Sequence, residues 1–169
     1  MDAMEALITR RSIRSYTSSP VSLELVRELI RAAMQAPSAG NEQPWHFLII
    51  TDRQVLARIP DVHPYAAMAA EAPVAVLVCG DPKREQYPGM LALDLAAATQ
   101  NLLLAAHAKG LGAVWVGIYP REDRMLPLRQ LFNLPEPIIP FALVPLGQPA
   151  ERPVPEERYR PELIHLDTW

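Results

Sequence analysis

Two short stretches concentrate the residue types that could carry chemistry. The first, "TRRSIRSY" at residues 9–16, sets three arginines among threonine, serine and tyrosine hydroxyls, in a chain whose formal net charge is −3. If residues 12–16 run extended after a first helix, alternate side chains share a side, so Ser12 and Arg14 face one way with Arg10 close by at the helix end. Guanidinium forks and a hydroxyl converging on one point suit a phosphate, because arginine meets phosphate oxygens through two parallel donors. A solvated basic patch is the other reading of the same residues. The second stretch, "APSAGNEQPWHF" at residues 36–47, reads as a helix stop, a tight loop of small residues and the start of a strand. Pro37, Ser38, Ala39 and Gly40 have little bulk, so a flat ring could lie against their backbone, and Asn41 and Gln43 put donors and acceptors beside it. An ordinary connecting loop accounts for the proline and glycine but not for the polar pair ahead of Trp45.

Other chemistries find little support. No G-x-G-x-x-G follows a strand; Gly110 and Gly112 precede one instead, and there is no Walker loop. His46, His63, His107 and His165 are scattered without metal-ligand spacing, so no metal is expected. No G-x-S-x-G elbow is present for a serine hydrolase. Cys79, the single cysteine, lies in the apolar run "PVAVLVCGD" and reads as a buried, inert thiol; one cysteine excludes an internal disulfide and fits a reducing, cytoplasmic setting.

The elements that must position the two stretches follow from periodicity. Residues 2–9 predict a short helix with Ala6 and Leu7 on its inner face. Ser22 is a plausible N-cap for a second helix, in which Leu25, Val26, Leu29, Ile30, Ala33 and Met34 recur at helical spacing until Pro37 ends it. "HFLIIT" at 46–51 predicts a buried strand; helices near 52–59 and 64–71 precede a second strand at 73–79. Residues 89–109 form the longest helix, apolar on nearly every side, which implies burial all round and favours a subunit interface. Strands follow at 113–118 and 138–147, with two short helical turns between them split by Pro127. Residues 148–162 mix prolines with charges and predict an extended arm, whose end exposes Leu163, Ile164, Leu166 and Trp169 for a partner subunit to cover.

With 169 residues, half of them hydrophobic, the chain predicts a single domain over 1–169 with a substantial core. Its 18 prolines fall between apolar segments and so punctuate a folded chain. The apolar run at 90–109 is broken by Asp94, Gln100 and Asn101, so no membrane span is expected; the N-terminus is too acidic for a secretory signal. An acidic balance without a basic block argues against a nucleic-acid partner.

Four segments in order, "RRSIR", "PSAGNEQPW", "GLGAVWVG" after a long helix, and the closing "ERYRPELIHLDTW", resemble the nitroreductase family of flavin enzymes over essentially the whole chain. The resemblance implies an α+β fold with a central mixed β-sheet flanked by helices, a long buried helix and an extended C-terminal arm (148–169) packing on the other subunit of a homodimer. It implies FMN at the dimer interface and NADH or NADPH as electron donor to a small-molecule acceptor such as a nitroaromatic or quinone, in a ping-pong cycle. Arg10, Arg11, Ser12 and Arg14 match the segment gripping the phosphate, ribityl chain and pyrimidine edge. Pro37, Ser38, Ala39 and Asn41 match the loop laid against the ring by the other subunit. Gly117 and Ile118 match the strand end whose backbone faces the redox edge, and Arg158 the basic residue completing the phosphate site. Arg14 would stabilise negative charge on the reduced ring, with no acid or base required. A branch that consumes its own flavin, a dehalogenating branch, a flavin-binding protein without turnover and a binder of some other anion remain alternatives. The chain is short and lacks an insertion that commonly forms a lid; Tyr65 and Met68, within 61–70, either cover the site in its place or pack on the core.

Overall fold

The computed structural model describes residues 1–154 and 156–169. At its centre lies β2 (Val74–Gly80), buried along its whole length between β1 (Trp45–Ile50) and β5 (Ile139–Gly147). Its side chains divide with the period of two that a pleated strand imposes. Val74, Val76 and Val78 enter one core with α2 (Leu23–Ala33) and α4 (Leu91–Ala108), while Ala75, Leu77 and Cys79 enter a second with α3 (Arg53–Val62) and α5 (Glu122–Leu131). Burial pushes the Cys79 thiol up to about 12, as an inert core thiol requires. Beyond β5 the sheet continues as two fragments, β3 (Gly112–Ala113) and β4 (Val116–Gly117). All four ladders are antiparallel, and the mixed character expected of the sheet reduces to one parallel bridge, Ser12 to Ala113.

Helix boundaries follow local chemistry. In α1 (Ala3–Thr9), Asp2 accepts the Glu5 N–H as N-cap; Ala6 packs inward, but Leu7, expected beside it, is exposed. Ser22 caps α2 as predicted, accepting the Leu25 N–H, and Val26, Leu29, Ile30 and Ala33 form its buried stripe. The helix α4 buries Leu91, Leu95, Ala98, Leu102 and Ala106 along one stripe and leaves Leu93 exposed, so one chain covers only one side of it. In place of a helix over 64–71 there is a 3-10 turn, Ala67–Ala70.

Met34, expected in the α2 stripe, is instead the exposed C-cap of that helix, and two further differences involve prolines. The predicted split at Pro127 does not occur. The first turn of α5 is closed by the Arg124 and Met125 N–H groups onto the Arg121 carbonyl, and fully buried Leu128 anchors the second half. Burying a leucine returns roughly 1.5–3 kcal/mol, enough to offset most of the roughly 3 kcal/mol that an interior proline costs. The strand predicted at 113–118 is broken instead, because Val114 sits opposite Pro145. Val114 donates to the Pro145 carbonyl at 3.4 Å, but proline has no N–H to return the bond.

The arm leaves β5 alongside the N-terminal segment. Thr17 N–H donates to the Gln148 carbonyl and Ala150 N–H to that of Ser15, after which the described residues from 152 onward are exposed. Among the described residues no helix is long and apolar enough to cross a membrane. Because Leu102 is wholly buried at the centre of the first core, Leu102→Ala should lower the unfolding free energy by about 2–5 kcal/mol. Chemical denaturation measures this, and a loss below about 1 kcal/mol would contradict the packing described.

Candidate functional site

The arginine segment is laid out as alternation requires. Residues 12 and 13 run beside β3, with the Ile13 N–H donating to the Ala113 carbonyl at 3.0 Å. Ile13 is buried, whereas Ser12 is half-buried and Arg14 exposed on the other side. Tyr16 locks the turn inward: its hydroxyl donates at 2.7 Å to the Ile13 carbonyl and lies 3.1 Å from that of Pro145, and burial raises its pKa well above the usual phenol value. Glu151, from the arm, accepts the backbone N–H groups of Arg14 and Ser15.

Both ends of the chain bring cations to this corner. Arg10, half-buried at the C-terminus of α1, has its pKa lowered by burial first, then by the charges of Arg158 and Arg11. Arg11 binds the carbonyls of Ile8 at 2.9 Å, Arg10 at 2.7 Å and Glu156 at 3.3 Å, tying the arm down; its Nε is buried without a partner among the described residues. Beside them Thr9 accepts from His107 Nε2 at 2.8 Å, since the threonine hydroxyl already donates to the Glu5 carbonyl. Burial and then Arg10 lower the His107 pKa. A cleft of about 260 Å³ opens here between Thr9, Arg11, His107 and Glu151.

The small-residue loop lies elsewhere, on the N-terminal half of α4. Gly40, Asn41 and Gln43 all adopt left-handed backbone, at φ of 53°, 57° and 49°. Only glycine takes this conformation without penalty, so Asn41 and Gln43 are held there by their surroundings. The Ser38 hydroxyl accepts the Gln43 N–H at 3.0 Å, and Gln43 Nε2 donates to Asn41 Oδ1 at 2.9 Å. Buried Asp94 accepts the Ala39 N–H at 3.0 Å, and buried Glu42 accepts the N–H groups of Gln86 and Tyr87, each at 2.7 Å. A side chain at Gly40 would require the Tyr87 ring to shift, and the positive φ there would strain it in any case. Pro37 and Asn41 themselves are exposed, with Ser38 and Ala39 half-buried.

The strand end presents one residue rather than two. Ile118 is wholly buried and its N–H donates to the Phe141 carbonyl at 3.2 Å. Gly117 is half-exposed, with open space where a Cβ would lie. Its carbonyl accepts from His63 Nε2 at 3.0 Å and Arg124 Nη1 at 2.8 Å. Neither was singled out by sequence: His63 stands 54 positions from Gly117, and only the packing of α3 against the strand end reveals it. Tyr65 is exposed, with the Arg124 guanidinium 5.1 Å from its ring centre, whereas Met68 packs on the core.

Arg10, Arg11, Ser12, Arg14 and Arg158 thus share one region, while 37–41 do not join it within one chain. Ala39 is tied to Asp94 and Thr9 to His107, at opposite ends of α4. At about 1.5 Å per residue, those 13 positions (107 − 94) amount to about 20 Å.

An antiparallel sheet between two helical layers, a long helix spanning both candidate stretches and a C-terminal arm returning to the N-terminal arginines together define the nitroreductase-like α+β class. The nitroreductase family model matches residues 7–63 and 60–148, and the chain belongs to that family. It is 51% identical over its whole length to 88% of a protein from Methanothermobacter thermautotrophicus provisionally assigned as an NADH dehydrogenase/NAD(P)H nitroreductase. A crystal structure from Parabacteroides distasonis, with the same provisional assignment, superposes with a TM-score of 0.94 at 40% identity, covering 98% of each chain. A provisionally assigned nitroreductase from Desulfovibrio desulfuricans, solved in complex with FMN, superposes with a TM-score of 0.85 at 33% identity, covering 98% of this chain and 96% of the other.

The loop anchor carries a pH signature. Burial raises the Asp94 pKa; the Ala39 N–H opposes this, and the charges of Glu42 and Glu85 add to the rise. A carboxyl whose folded pKa exceeds its unfolded one binds more protons in the native state, so its contribution to stability falls as pH rises from the ordinary aspartate range through the folded pKa. Asp94→Asn keeps an acceptor for Ala39 and removes the charge. Its stability at neutral pH should equal or exceed wild type, with a flatter profile between pH 4 and 7 measured by urea unfolding; an unaltered slope would contradict the assignment.

Proposed function

We propose that this protein is an FMN-dependent oxidoreductase that uses NADH or NADPH to reduce electron-poor acceptors such as nitroaromatics or quinones. We further propose that residues 1–169 form one flavin-binding domain, active as a homodimer with its sites between the two copies. The observation that carries the reading is the arm brought back to the N-terminal arginines: Arg11 donates to the Glu156 carbonyl at 3.3 Å, and the charge of Arg158 two residues on reaches half-buried Arg10. The buried, unpartnered Nε of Arg11 and the open space over Gly117 are features that a phosphate and a flat ring fit. The FMN bound to the Desulfovibrio desulfuricans relative supports the choice of cofactor.

In this reading Arg10, Arg11, Ser12 and Arg158 hold the phosphate and ribityl chain, and Arg14 meets the pyrimidine edge and stabilises negative charge there. The backbone of Gly117 faces the redox edge, with buried Ile118 anchoring the strand end behind it. Pro37, Ser38, Ala39 and Asn41 come from the second copy, because about 20 Å of α4 separates them from the arginines of their own chain. Apolar residues left exposed on α1 (Met4, Leu7, Ile8), on α4 (Leu93) and on the arm (Leu163, Ile164, Leu166, Trp169) support that pairing. FMN, when bound, accepts a hydride from the nicotinamide and passes two electrons to the acceptor. Donor and acceptor occupy the same place in turn, which makes the cycle ping-pong, and no side chain of the site need act as acid or base.

The purified protein should carry a flavin spectrum that NADH or NADPH bleaches anaerobically and that a nitroaromatic or quinone restores. A bound flavin that neither cofactor bleaches would make it a binding protein; no flavin binding at all would overturn the reading. Arg10→Ala removes charge-assisted hydrogen bonds of about 1.5–3 kcal/mol, so FMN affinity should fall roughly 10- to 150-fold in a fluorescence titration. Unchanged affinity would remove Arg10 from the site.

A further inference from the structure

The end of β4 carries a second layer of organisation. In its ladder with β5, Val114 and Ile118 donate inward to Pro145 and Phe141, and Gly117 stands opposite Ala142 between such positions. In an antiparallel pair the residues between hydrogen-bonded positions turn both N–H and C=O away from the partner strand. Gly117 therefore points both groups off the edge of the sheet. At β3 that edge is covered by Ser12 and Ile13; at Gly117 it is met by side chains instead.

Those side chains come from two separate helices. His63, 1% exposed at the end of α3, donates from Nε2 to the Gly117 carbonyl at 3.0 Å. The Tyr65 N–H, donating to His63 Nδ1 at 3.3 Å, assigns the proton to Nε2. Arg124, in the first turn of α5, donates from Nη1 to the same oxygen at 2.8 Å, and its guanidinium packs on the Tyr65 ring. With both donors on the carbonyl, the backbone group that Gly117 offers outward is its N–H. No Cβ obstructs the approach, and a fixed positive charge stands one hydrogen bond away.

Resting on the flavin reading above, we propose that His63 and Arg124 are positioning residues for the redox edge. Together they hold the Gly117 carbonyl, and through it the strand end whose Gly117 N–H is directed at the ring, and Arg124 supplies a preorganised positive field that favours the reduced, more negative cofactor. Such a field acts without reorganisation at the moment of electron transfer. The same pair makes Tyr65 the outer wall of the site, held by His63 through its backbone and by Arg124 through its ring.

The test uses the full-length holoprotein and the variants Arg124→Met, Arg124→Lys, His63→Leu and His63→Gln. The readouts are FMN affinity by fluorescence, the midpoint potential of bound FMN, the shift of the Gly117 amide resonance on adding FMN, and kcat and KM with NADH. Since His63 is buried, Arg124→Met, on a partly exposed helix face, is the deciding variant. It should retain FMN affinity within about threefold, shift the midpoint potential to more negative values and lower kcat with NADH about tenfold at little-changed KM. Arg124→Lys and His63→Gln, which keep a donor, should recover part of the loss. A wild-type Gly117 amide that does not shift with FMN, or an Arg124→Met protein with wild-type potential, overturns this proposal while leaving the flavin reading standing. Wild-type protein that binds no FMN overturns both.

Discussion

Guanidinium groups drawn together repel one another, and one that is partly buried, as Arg10 is, also gives up hydration that water would otherwise supply. The corner formed by Arg10, Arg11 and Arg158 imposes that cost on the fold, and much of the surrounding structure holds it in place. Tyr16 fixes the segment from inside, Glu151 fixes its backbone from the arm, and Arg11 binds the arm by the Glu156 carbonyl. An arrangement of this kind stores unfavourable electrostatic energy in the free protein, and a bound anion releases it. Hence the first and last parts of the chain, far apart in sequence, are physically one feature.

The second constraint is the length of α4. Its buried stripe locks it against the sheet and α2, so its two ends lie at a fixed separation. One end orders the loop of left-handed residues through Asp94; the other borders the arginine corner through His107. Neither stretch can move toward the other without breaking the core. On the reading proposed above a second copy completes the site, and within a single chain apolar residues of α1, α4 and the arm remain exposed.

Much of this was legible in the sequence because it is local. The Ser22 cap, the buried strand around Cys79 and the turnover of Ser12 and Arg14 to the side opposite Ile13 all follow from neighbouring residues. What escaped depends on pairing across the sheet or on burial. Pro127 is overridden by Leu128 beneath it, whereas Pro145 breaks a strand distant in sequence by facing Val114. Leu7 sits at helical spacing from no inner partner and is turned outward. His63 and Arg124 carry no motif; they acquire a common role only where α3, β4 and α5 meet at one carbonyl oxygen.

The central claim is that each site draws its arginines from one copy and its small-residue loop from the other. Mixed dimers test it directly, pairing an Arg10→Ala chain with an Ala39→Trp chain that fills the ring-facing loop. Under equilibrium dialysis at an FMN concentration only a few times the wild-type Kd, either variant alone should bind much less FMN than wild type. The mixed dimer should bind one FMN per dimer, because one of its two sites then combines an intact corner with an intact loop. A mixed dimer that binds no more FMN than its parents would show that both elements serve the same copy, contrary to this account.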